Sequence, residues 1–561
     1  MIVSGKDIVH FSDPLTSTVA DELARCGVTD VVASPGLHSG VLAHAVHQCP
    51  GMRLHVRIDE RSAAFLALGL ARASGRPAAV VCTSGTAAAN LHPAVLEARH
   101  SRVSLVVITT DRLPALRGTG ANQATDQVRL YGTATPHYTE LNTEPPTTAT
   151  VRYWRSAVSR ALGSCAHGPV HLNIGLHEPY DAPAPLPDEA ALLASARPPG
   201  EPWTRVRHAP EAPRTLDVPA HGVIVVGDGA SDPHAAVTFA EQAGWPLLAE
   251  PQTGARYGAN AIRTYGDLLS HREFRKGAEP EMVITMGRPG VHLAVLDYLG
   301  QARDHLVVDP SADWADPTRG ATEVLSRLGT PMLPDQDPDW LRRWQDADKA
   351  AGGALDVMLD RTDLSEPRIA RDLVAAIPDG SLLFAGSSMP IRDLEQTMRP
   401  RQNVRILANR GLNGIDGAVS SAIGAALAHQ AQGGGRAYAL LGDLSLLHDQ
   451  NGLITGLGSP RPDLTIVVVN NNGGGIFSLL PVRRPIDDFE MLFGTPHGVS
   501  FEQVAAASGW PYTRAAGTAD LLAVLDQPGP RLIEVVTDRR DNASLHRRLT
   551  VAVMSAVGAA L

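Results

Sequence analysis

Two motifs at the ends of neighbouring apolar segments carry oxygen ligands at a regular spacing. AYALLGDLS (437–445) ends its apolar run in Gly442-Asp443, and LTIVVVNNNGGG (464–475) ends the next in Asn471, twenty-eight residues after Asp443. Asp443 offers a carboxylate oxygen and Asn471 an amide oxygen, while the glycines allow a backbone carbonyl, that of Gly473 by position, to turn inward. Mg²⁺ prefers such oxygens and commonly takes the rest from a diphosphate and water. The pair predicts a magnesium–diphosphate site, although each motif alone also suits a helix cap or a turn.

The elements that must position these residues alternate between short apolar segments and Ala-rich amphipathic ones. LHVRID (54–59) precedes ERSAAFLALGLARA (60–73), and AAVVCTS (78–84) precedes GTAAANLHPAVLEARH (85–100). This βαβα order predicts an α/β fold with parallel sheets covered by helices on both faces. Ligands bind such sheets at the carboxyl ends of the strands, so Asp443 and Asn471 can face one crevice.

The chain is expected to form three doubly wound parallel-sheet domains, because 561 residues exceed one hydrophobic core. Two proline-rich segments, 181–203 and 329–340, divide it. The predicted domains are 1–190, 204–330 and 340–561. The first and last share an order of features (58–90 against 415–451), which indicates two related α/β domains unless common βα units match by chance. The middle segment contains HGVIVVGDGASDPH (221–234), a Rossmann-like opening without a complete GxGxxG.

Composition narrows the class of protein. The net charge of −10 gives no reason to expect a nucleic-acid partner, and no apolar run is long enough to predict membrane insertion. Four cysteines without a CxxC pair, and an N-terminus without the apolar core of a secretory signal, favour a cytoplasmic protein. Only three lysines occur, and none follows a glycine-rich phosphate loop or lies in a setting typical of a Schiff base.

The GD motif followed one strand later by NN resembles the signature of thiamine-diphosphate enzymes. The resemblance implies thiamine diphosphate with Mg²⁺, or else Mn²⁺. It also implies that Glu60 hydrogen-bonds the aminopyrimidine ring, usually from a second subunit. A partly desolvated carboxylate can share a proton with that ring and so help remove the reactive C2 proton. The simpler role for Glu60 is to stabilise a helix N-terminus. Ile415 matches the apolar wedge that bends the cofactor, but a core residue would look the same.

Longer motifs resemble one family, the 2-succinyl-5-enolpyruvyl-6-hydroxy-3-cyclohexene-1-carboxylate synthases of menaquinone biosynthesis. Members decarboxylate 2-oxoglutarate and add the resulting succinyl carbanion to isochorismate, and they are homodimers or homotetramers with the site at the subunit interface. The motifs that carry the resemblance are RIDERSAAFLALGLA (57–71), TSGTAAANLHPAVLEA (83–98), GTGANQATDQ (118–127), GSSMPIRDLE (386–395) and NRGLNGIDGAVSSAIGAALA (409–428).

The resemblance also assigns roles to individual positions. Arginine suits small polycarboxylate substrates because its guanidinium binds a carboxylate through two hydrogen bonds and stays charged. With 46 arginines in the chain, only the motif context raises a few of them above surface residues. The implied cofactor-binding residues are Ile415, Ser388, Gly442, Ser445, Thr83 and Gly85, and the implied substrate-binding residues are Arg112, Asn122, Gln123, Arg392, Arg410 and His38.

Two segments depart from the family pattern. SPGLHSGVL (34–42) has Leu37 and His38 where the family has Ser-Arg, and GRPGVHLAVL (287–296) has Leu293 where an arginine is usual. Each lost charge-assisted bond is worth about 1.5–3 kcal/mol, so acceptor binding is expected to weaken unless a protonated His38 compensates. A paralogue with the same donor and another acceptor is therefore an alternative. An NAD- or flavin-dependent oxidoreductase and a non-enzymatic regulator are further alternatives.

Overall fold

The computed structural model describes residues 13–177, 196–207, 212, 214–311, 313–332, 337–479 and 487–561. Every strand pair in these ranges is parallel, and three sheets of five or six strands are formed. The α/β class with doubly wound parallel sheets is confirmed. The predicted domain boundaries remain a prediction, and residues 1–12, 178–195 and 333–336, on which part of those boundaries falls, lie outside the described residues.

The first sheet has the strand order β2-β1-β3-β4-β6-β5. Alternate residues of its buried strands face opposite sides: Val80 packs towards the third sheet, whereas Val81 packs under α1, α2 and α6. The strands are β1 (Asp30–Ala33), β2 (Arg53–Val56), β3 (Ala78–Cys82), β4 (Leu105–Arg112), β5 (His137–Asn142) and β6 (Val170–Leu176), and the helices are α1 (Pro14–Arg25), α2 (Leu37–Gln48), α3 (Glu60–Ser74), α4 (Thr86–Asn90), α5 (His92–Ser101) and α6 (Thr148–Ser164).

The middle sheet has the order β12-β11-β10-β8-β9, and β7 pairs with β13 beside it. The long helix α11 packs on this sheet through Trp340 and Trp344, together with Leu549 of the C-terminal helix. The elements are β7 (Thr215–Asp217), β8 (Gly222–Val226), α7 (Pro233–Ala243), β9 (Leu247–Ala249), α8 (Tyr265–Ser270), α9 (Arg272–Gly277), β10 (Met282–Met286), α10 (Leu293–Leu299), β11 (Asp304–Val308), β12 (Glu323–Leu325), β13 (Thr330–Met332) and α11 (Pro338–Asp360).

The third sheet, β15-β14-β16-β17-β19-β18, repeats the strand order of the first. The equivalence of segments 58–90 and 415–451 therefore reflects two sheets of one topology. Its elements are α12 (Glu366–Ala376), β14 (Leu382–Ala385), α13 (Met389–Thr397), β15 (Arg405–Leu407), α14 (Ala418–Ala431), β16 (Ala437–Gly442), α15 (Asp443–His448), β17 (Leu464–Asn470), α16 (Phe501–Ala507), β18 (Tyr512–Ala515), α17 (Thr518–Leu525), β19 (Arg531–Val536) and α18 (Arg539–Ala560).

Helices α3 and α14 join the first and third sheets into one hydrophobic core. Glycines allow their backbones to touch: a Cβ on Gly69 would lie 2.2 Å from the carbonyl oxygen of Ser421, and one on Gly424 would lie 2.2 Å from that of Leu66. Since both helices begin at the carboxyl edges of their sheets, this contact fixes how the two edges stand relative to each other. No helix in the described ranges is both long and apolar enough to cross a membrane.

Candidate active site

Asp443 and Asn471 lie at the carboxyl ends of the adjacent strands β16 and β17 and line the same cleft, as the spacing predicted. Asp443 is the first residue of α15 and is buried, and its Oδ2 accepts the backbone N–H of Gly473 at 2.8 Å. Asn471 donates through Nδ2 to Glu366 Oε1 at 2.9 Å, while its Oδ1 is buried without a partner. A buried amide oxygen without a donor is costly, which indicates that it serves a ligand.

Gly473 lies between these two residues in a conformation that requires glycine. Its φ is +138°, and a Cβ there would lie 1.9 Å from the carbonyl oxygen of Gly494. The structure brings its amide, rather than its carbonyl, to Asp443, since the Gly473 carbonyl accepts the N–H of Gly475 at 3.0 Å. A carbonyl oxygen can accept a second interaction, so the predicted metal contact of Gly473 stays a prediction.

The residues predicted to bind the cofactor in the C-terminal half converge on this cleft. Ser388, the residue before α13, has the unusual φ of +74°, which places it at the cleft rather than inside the helix. Backbone strain of this kind is concentrated at functional sites. The predicted residues that line the cleft are Ser388, Ile415, Gly442, Asp443, Ser445, Asn471 and Gly473.

Glu366 is a buried carboxylate in this cleft that the sequence motifs did not reveal. Its Oε1 accepts Asn471 Nδ2 and, at 3.0 Å, Thr537 Oγ1. Burial, aided by the negative charge of Asp393, raises the pKa of Glu366 to about 7, although both hydrogen bonds oppose the rise. The motif gave no signal, because Ser365-Glu366-Pro367 is an ordinary beginning for a helix.

The half-buried Arg392 and the buried Arg410 are close enough to influence each other electrostatically. Arg392 donates to the carbonyl of Ser388 at 2.7 Å, and its pKa is lowered by burial and by the charge of Arg410. Arg410 donates to the carbonyl of Gly290 at 3.3 Å, and its Nη1 is buried without a hydrogen-bond partner. Two partly desolvated guanidinium groups that repel each other favour a nearby anion.

The other predicted residues cluster at the carboxyl edge of the first sheet. Gly85 donates its N–H to Gln127 Oε1 at 3.0 Å, and Ser84 and Gln123 exchange hydrogen bonds of 2.8 and 3.2 Å. The carbonyl of Asn122 accepts Arg112 Nε at 3.4 Å. Thr83 is buried at the same edge. The buried Gln127, at the end of the GANQATDQ motif, links several residues of this edge through hydrogen bonds. The sequence motifs did not reveal this role.

His38 and Arg112 are in direct contact. Both are buried, and Arg112 Nη1 lies 2.8 Å from Nδ1 and 2.9 Å from Nε2 of the His38 ring. The contact places the His38 ring beside the guanidinium predicted to bind substrate, and the substrate-binding role of His38 stays a prediction.

Glu60 is the first residue of α3 and is half-buried. It lies close enough to Cys82 to add to the rise in the pKa of that thiol, which is mainly due to burial. Asp59 Oδ2 accepts Asn451 Nδ2 at 2.9 Å, so this helix end is tied to the third sheet's domain in the same chain. Glu60 is nevertheless absent from the described residues that line the Asp443 cleft of its own chain.

Leu37 and Leu293, the leucines in the two segments that depart from the family pattern, are both exposed. Leu293 begins α10 and lines a second cleft next to the first, together with Arg392, Glu395 and His546. No group of three or more histidine, cysteine or acidic side chains in the described residues could hold a metal ion by itself. A metal at Asp443 would therefore depend on amide, backbone and ligand oxygens, the ligand type that suits Mg²⁺.

The Rossmann-like segment does not open a nucleotide crevice. After β8, Asp228 forms ion pairs with Arg288 and Arg72, and a Cβ on Gly227 would lie 2.1 Å from the backbone of Arg288. The glycine allows close backbone packing rather than the approach of a pyrophosphate. This geometry gives no support to the oxidoreductase alternative.

Comparison with known families agrees with this geometry. Residues 15–130 match the N-terminal TPP binding domain of thiamine pyrophosphate enzymes, and residues 388–535 match the C-terminal TPP binding domain. The first match contains Glu60 and the second contains Asp443 and Asn471. The chain is a thiamine pyrophosphate-dependent enzyme.

Curated relatives define the family more narrowly. One from Thermobifida fusca is 52% identical over 97% of this chain and 99% of its own length. Relatives from Saccharopolyspora erythraea and Bacillus cytotoxicus are 44% and 35% identical, over 96% and 94% of this chain and 98% and 94% of their own lengths. All three are named 2-succinyl-5-enolpyruvyl-6-hydroxy-3-cyclohexene-1-carboxylate synthase. This chain belongs to that family, and the comparisons give no support to a paralogue with another acceptor.

Proposed function

We propose that this enzyme is a C–C bond-forming transferase that decarboxylates 2-oxoglutarate and transfers the succinyl group to isochorismate by 1,4-addition, as a step of menaquinone biosynthesis. One carbon dioxide leaves for each bond formed. The observation that carries the proposal is that Asp443 and Asn471, which suit a metal–diphosphate group, line one cleft, while Arg392, which suits a carboxylate, lines the cleft next to it.

The cleft fits thiamine diphosphate and Mg²⁺. The unpartnered Oδ1 of Asn471 and the carboxylate of Asp443 are available as metal ligands, with Gly473 between them, and Ile415 supplies an apolar contact. When bound, thiamine diphosphate supplies a carbon that can hold the electron pair left by decarboxylation. Gly442 and Ser445 line the side of the cleft where α15 begins.

We assign the role of proton-sharing group on the aminopyrimidine ring to Glu60. Because Glu60 is absent from the described lining of its own chain's cleft, the proposal includes a homodimer in which Glu60, Thr83 and Gly85 of one chain complete the site of the other. Exposed apolar side chains such as Leu37 and Ile58 flank this edge and suit burial between subunits. A homotetramer would contain the same pair.

The arginines divide between the two substrates in this assembly. Arg392 and Arg410 adjoin the cofactor cleft and are assigned to the carboxylates of 2-oxoglutarate. Arg112, with His38, Asn122 and Gln123, lies at the edge that carries Glu60 and is assigned to isochorismate. The proposal therefore places the imidazole of His38, at the position where the family pattern has an arginine, beside the guanidinium of Arg112 in the acceptor pocket.

The test is to incubate the protein with thiamine diphosphate, Mg²⁺ and 2-oxoglutarate, with and without isochorismate. Carbon dioxide release and the product mass are followed. We expect isochorismate to accelerate carbon dioxide release. The product should have the mass of isochorismate plus succinic semialdehyde. Slow release that isochorismate leaves unchanged would overturn the acceptor assignment.

Two variants test the cofactor roles separately. Asp443→Ala should abolish Mg²⁺-dependent binding of thiamine diphosphate in calorimetry, whereas Glu60→Gln should keep most binding and lose most turnover. Asp379→Ala, at an exposed ion pair with Arg401, is the control and should change neither. Unchanged affinity in the Asp443 variant would refute the metal assignment, and wild-type turnover in the Glu60 variant would refute the proton-sharing role.

A further inference from the structure

The buried Glu366 is hydrogen-bonded to Asn471, one of the residues proposed to bind the metal. An asparagine amide can present either its oxygen or its NH₂ group to a ligand, and only the oxygen can bind a cation. Its orientation is decided by the hydrogen bonds of the rest of the side chain. Here the Asn471 NH₂ group donates to Glu366 Oε1 at 2.9 Å, and Oδ1 is left buried and unpartnered.

Glu366 is itself held in place. Thr537 Oγ1 donates to the same Oε1 at 3.0 Å, and the side chain lies at the beginning of α12, with the carboxylate buried. Both donors approach one oxygen, so that oxygen acts only as an acceptor. A flipped Asn471 would place two acceptor oxygens against each other and would point NH₂ towards the cation, which is doubly unfavourable.

We infer that Glu366 is a positioning residue that orients the Asn471 carboxamide so that its oxygen faces the metal; this inference rests on the proposed function of the cleft. Glu366 acts through Asn471, to which it is hydrogen-bonded. Groups that orient metal ligands in this way commonly change metal affinity 10–100-fold when removed.

A second asparagine–glutamate pair one residue away provides a matched control. Asn470 Nδ2 donates to Glu534 Oε1 at 2.5 Å, and Glu534 is also buried. Neither residue is among the described residues that line the cleft. Replacing Glu534 removes the same kind of interaction from the same strand end without touching the proposed ligand.

The experiment is titration calorimetry of thiamine diphosphate at several Mg²⁺ concentrations. Glu366→Leu should weaken the apparent affinity for Mg²⁺ about 10–100-fold, whereas Glu366→Gln, whose amide oxygen can still accept from Asn471, should stay within about threefold of wild type. Glu534→Gln and Glu534→Leu should also stay within about threefold, even if they lower the melting temperature. Equal losses in Glu366→Gln and Glu366→Leu, or no loss in either, would overturn the inference.

Combining the Glu366 variants with Asn471→Asp separates a loss of carboxamide orientation from general damage to the metal site. Both oxygens of an aspartate can bind a cation, so no neighbour has to orient it. In this background Glu366→Leu should leave Mg²⁺ affinity unchanged or improve it, because it also removes the repulsion between the Glu366 carboxylate and the introduced aspartate. A loss as large as in the Asn471 background would refute the positioning role. If Glu366→Leu does not fold, Glu366→Met keeps the volume without an oxygen and takes its place.

The titration of the wild-type protein tells a failure of the proposed metal site apart from a failure of the proposed role of Glu366. If wild-type protein shows no Mg²⁺-dependent binding of thiamine diphosphate, the proposed metal site fails, and the role of Glu366 fails with it. If wild type binds and the Glu366→Leu variant binds equally well, the positioning role alone is wrong.

Discussion

Glu395 offers a quantitative test of how burial controls charge next to the active site. It lies on α13, lines the second cleft and is buried. Burial raises its pKa to about 7 against an ordinary 4.5, although the nearby Arg256 and Arg392 oppose the rise. At about 1.4 kcal/mol per pH unit, this corresponds to roughly 3 kcal/mol of destabilisation once the group is ionised.

The direction of this pH dependence of stability follows from the protons that the folded and unfolded chains bind. Between pH 4.5 and 7 the folded chain holds a proton on Glu395 that the unfolded chain releases, so stability from this group falls as pH rises through that window. Glu395→Gln stays neutral and removes this fall. Relative to wild type, the variant should have nearly equal unfolding free energy at pH 5 and be more stable by up to about 3 kcal/mol at pH 8.5. Urea unfolding followed by circular dichroism measures both.

A second variant, for which the opposite pH dependence of stability is expected, distinguishes this effect from a general response to replacing a carboxylate with an amide. The hydrogen bonds of Arg117 lower the pKa of Glu140 despite partial burial, so its carboxylate stabilises the fold above pH 4.5 and loses that effect as pH falls. Glu140→Gln should therefore be less stable than wild type at pH 8.5. A Glu395→Gln advantage that is the same at pH 5 and pH 8.5 would refute the reasoning. Asp267, whose pKa is raised to about 6 by burial and then by Glu395, should titrate lower in the Glu395 variant.

The remaining predictions concern packing and substrate binding. Gly424→Ala should cost about 1–3 kcal/mol or more, seen as a lower melting temperature, because its Cβ would lie 2.2 Å from the carbonyl oxygen of Leu66. Gly353→Ala in α11, where no atom lies within 4 Å of the new Cβ, should instead stabilise by about 0.5–1 kcal/mol, and a lower melting temperature would contradict this. Arg392→Ala should raise the KM for 2-oxoglutarate far more than it changes cofactor affinity; an unchanged KM would mean that another residue binds that carboxylate.

The features that sequence could predict are those encoded over a few residues. A buried apolar run followed at once by Asp443 or Asn471 marks a strand end, and parallel topology brings such ends to one edge. Arg112, which only the family resemblance singled out, also lies at the carboxyl end of a strand, β4 of the first sheet.

Glu366 could not be found in this way, because it lies 77 residues before Asp443 and meets Asn471 only through the folded chain. The contact between His38 and Arg112 joins residues 74 positions apart. A motif identifies each residue by its neighbours in sequence, whereas the contacts of its side chain depend on neighbours in space. His38 illustrates this, because its residue type gave no sign that its ring would lie against a guanidinium.

Whether one chain or two form each site can be decided by mixing inactive variants. A Glu60→Gln chain keeps an intact Asp443 cleft, and an Asp443→Ala chain keeps an intact Glu60. If Glu60 of one chain serves the cleft of the other, a mixed dimer has one intact site, whereas a site built within one chain would stay defective in every combination. Random mixing after dissociation should restore about a quarter of wild-type activity, since half of the dimers are mixed and each has one working site of two. Because α3 and α14 fix the two sheet edges within each chain, recovery would mean that this contact turns Glu60 towards the partner, and no recovery would assign Glu60 to its own cleft.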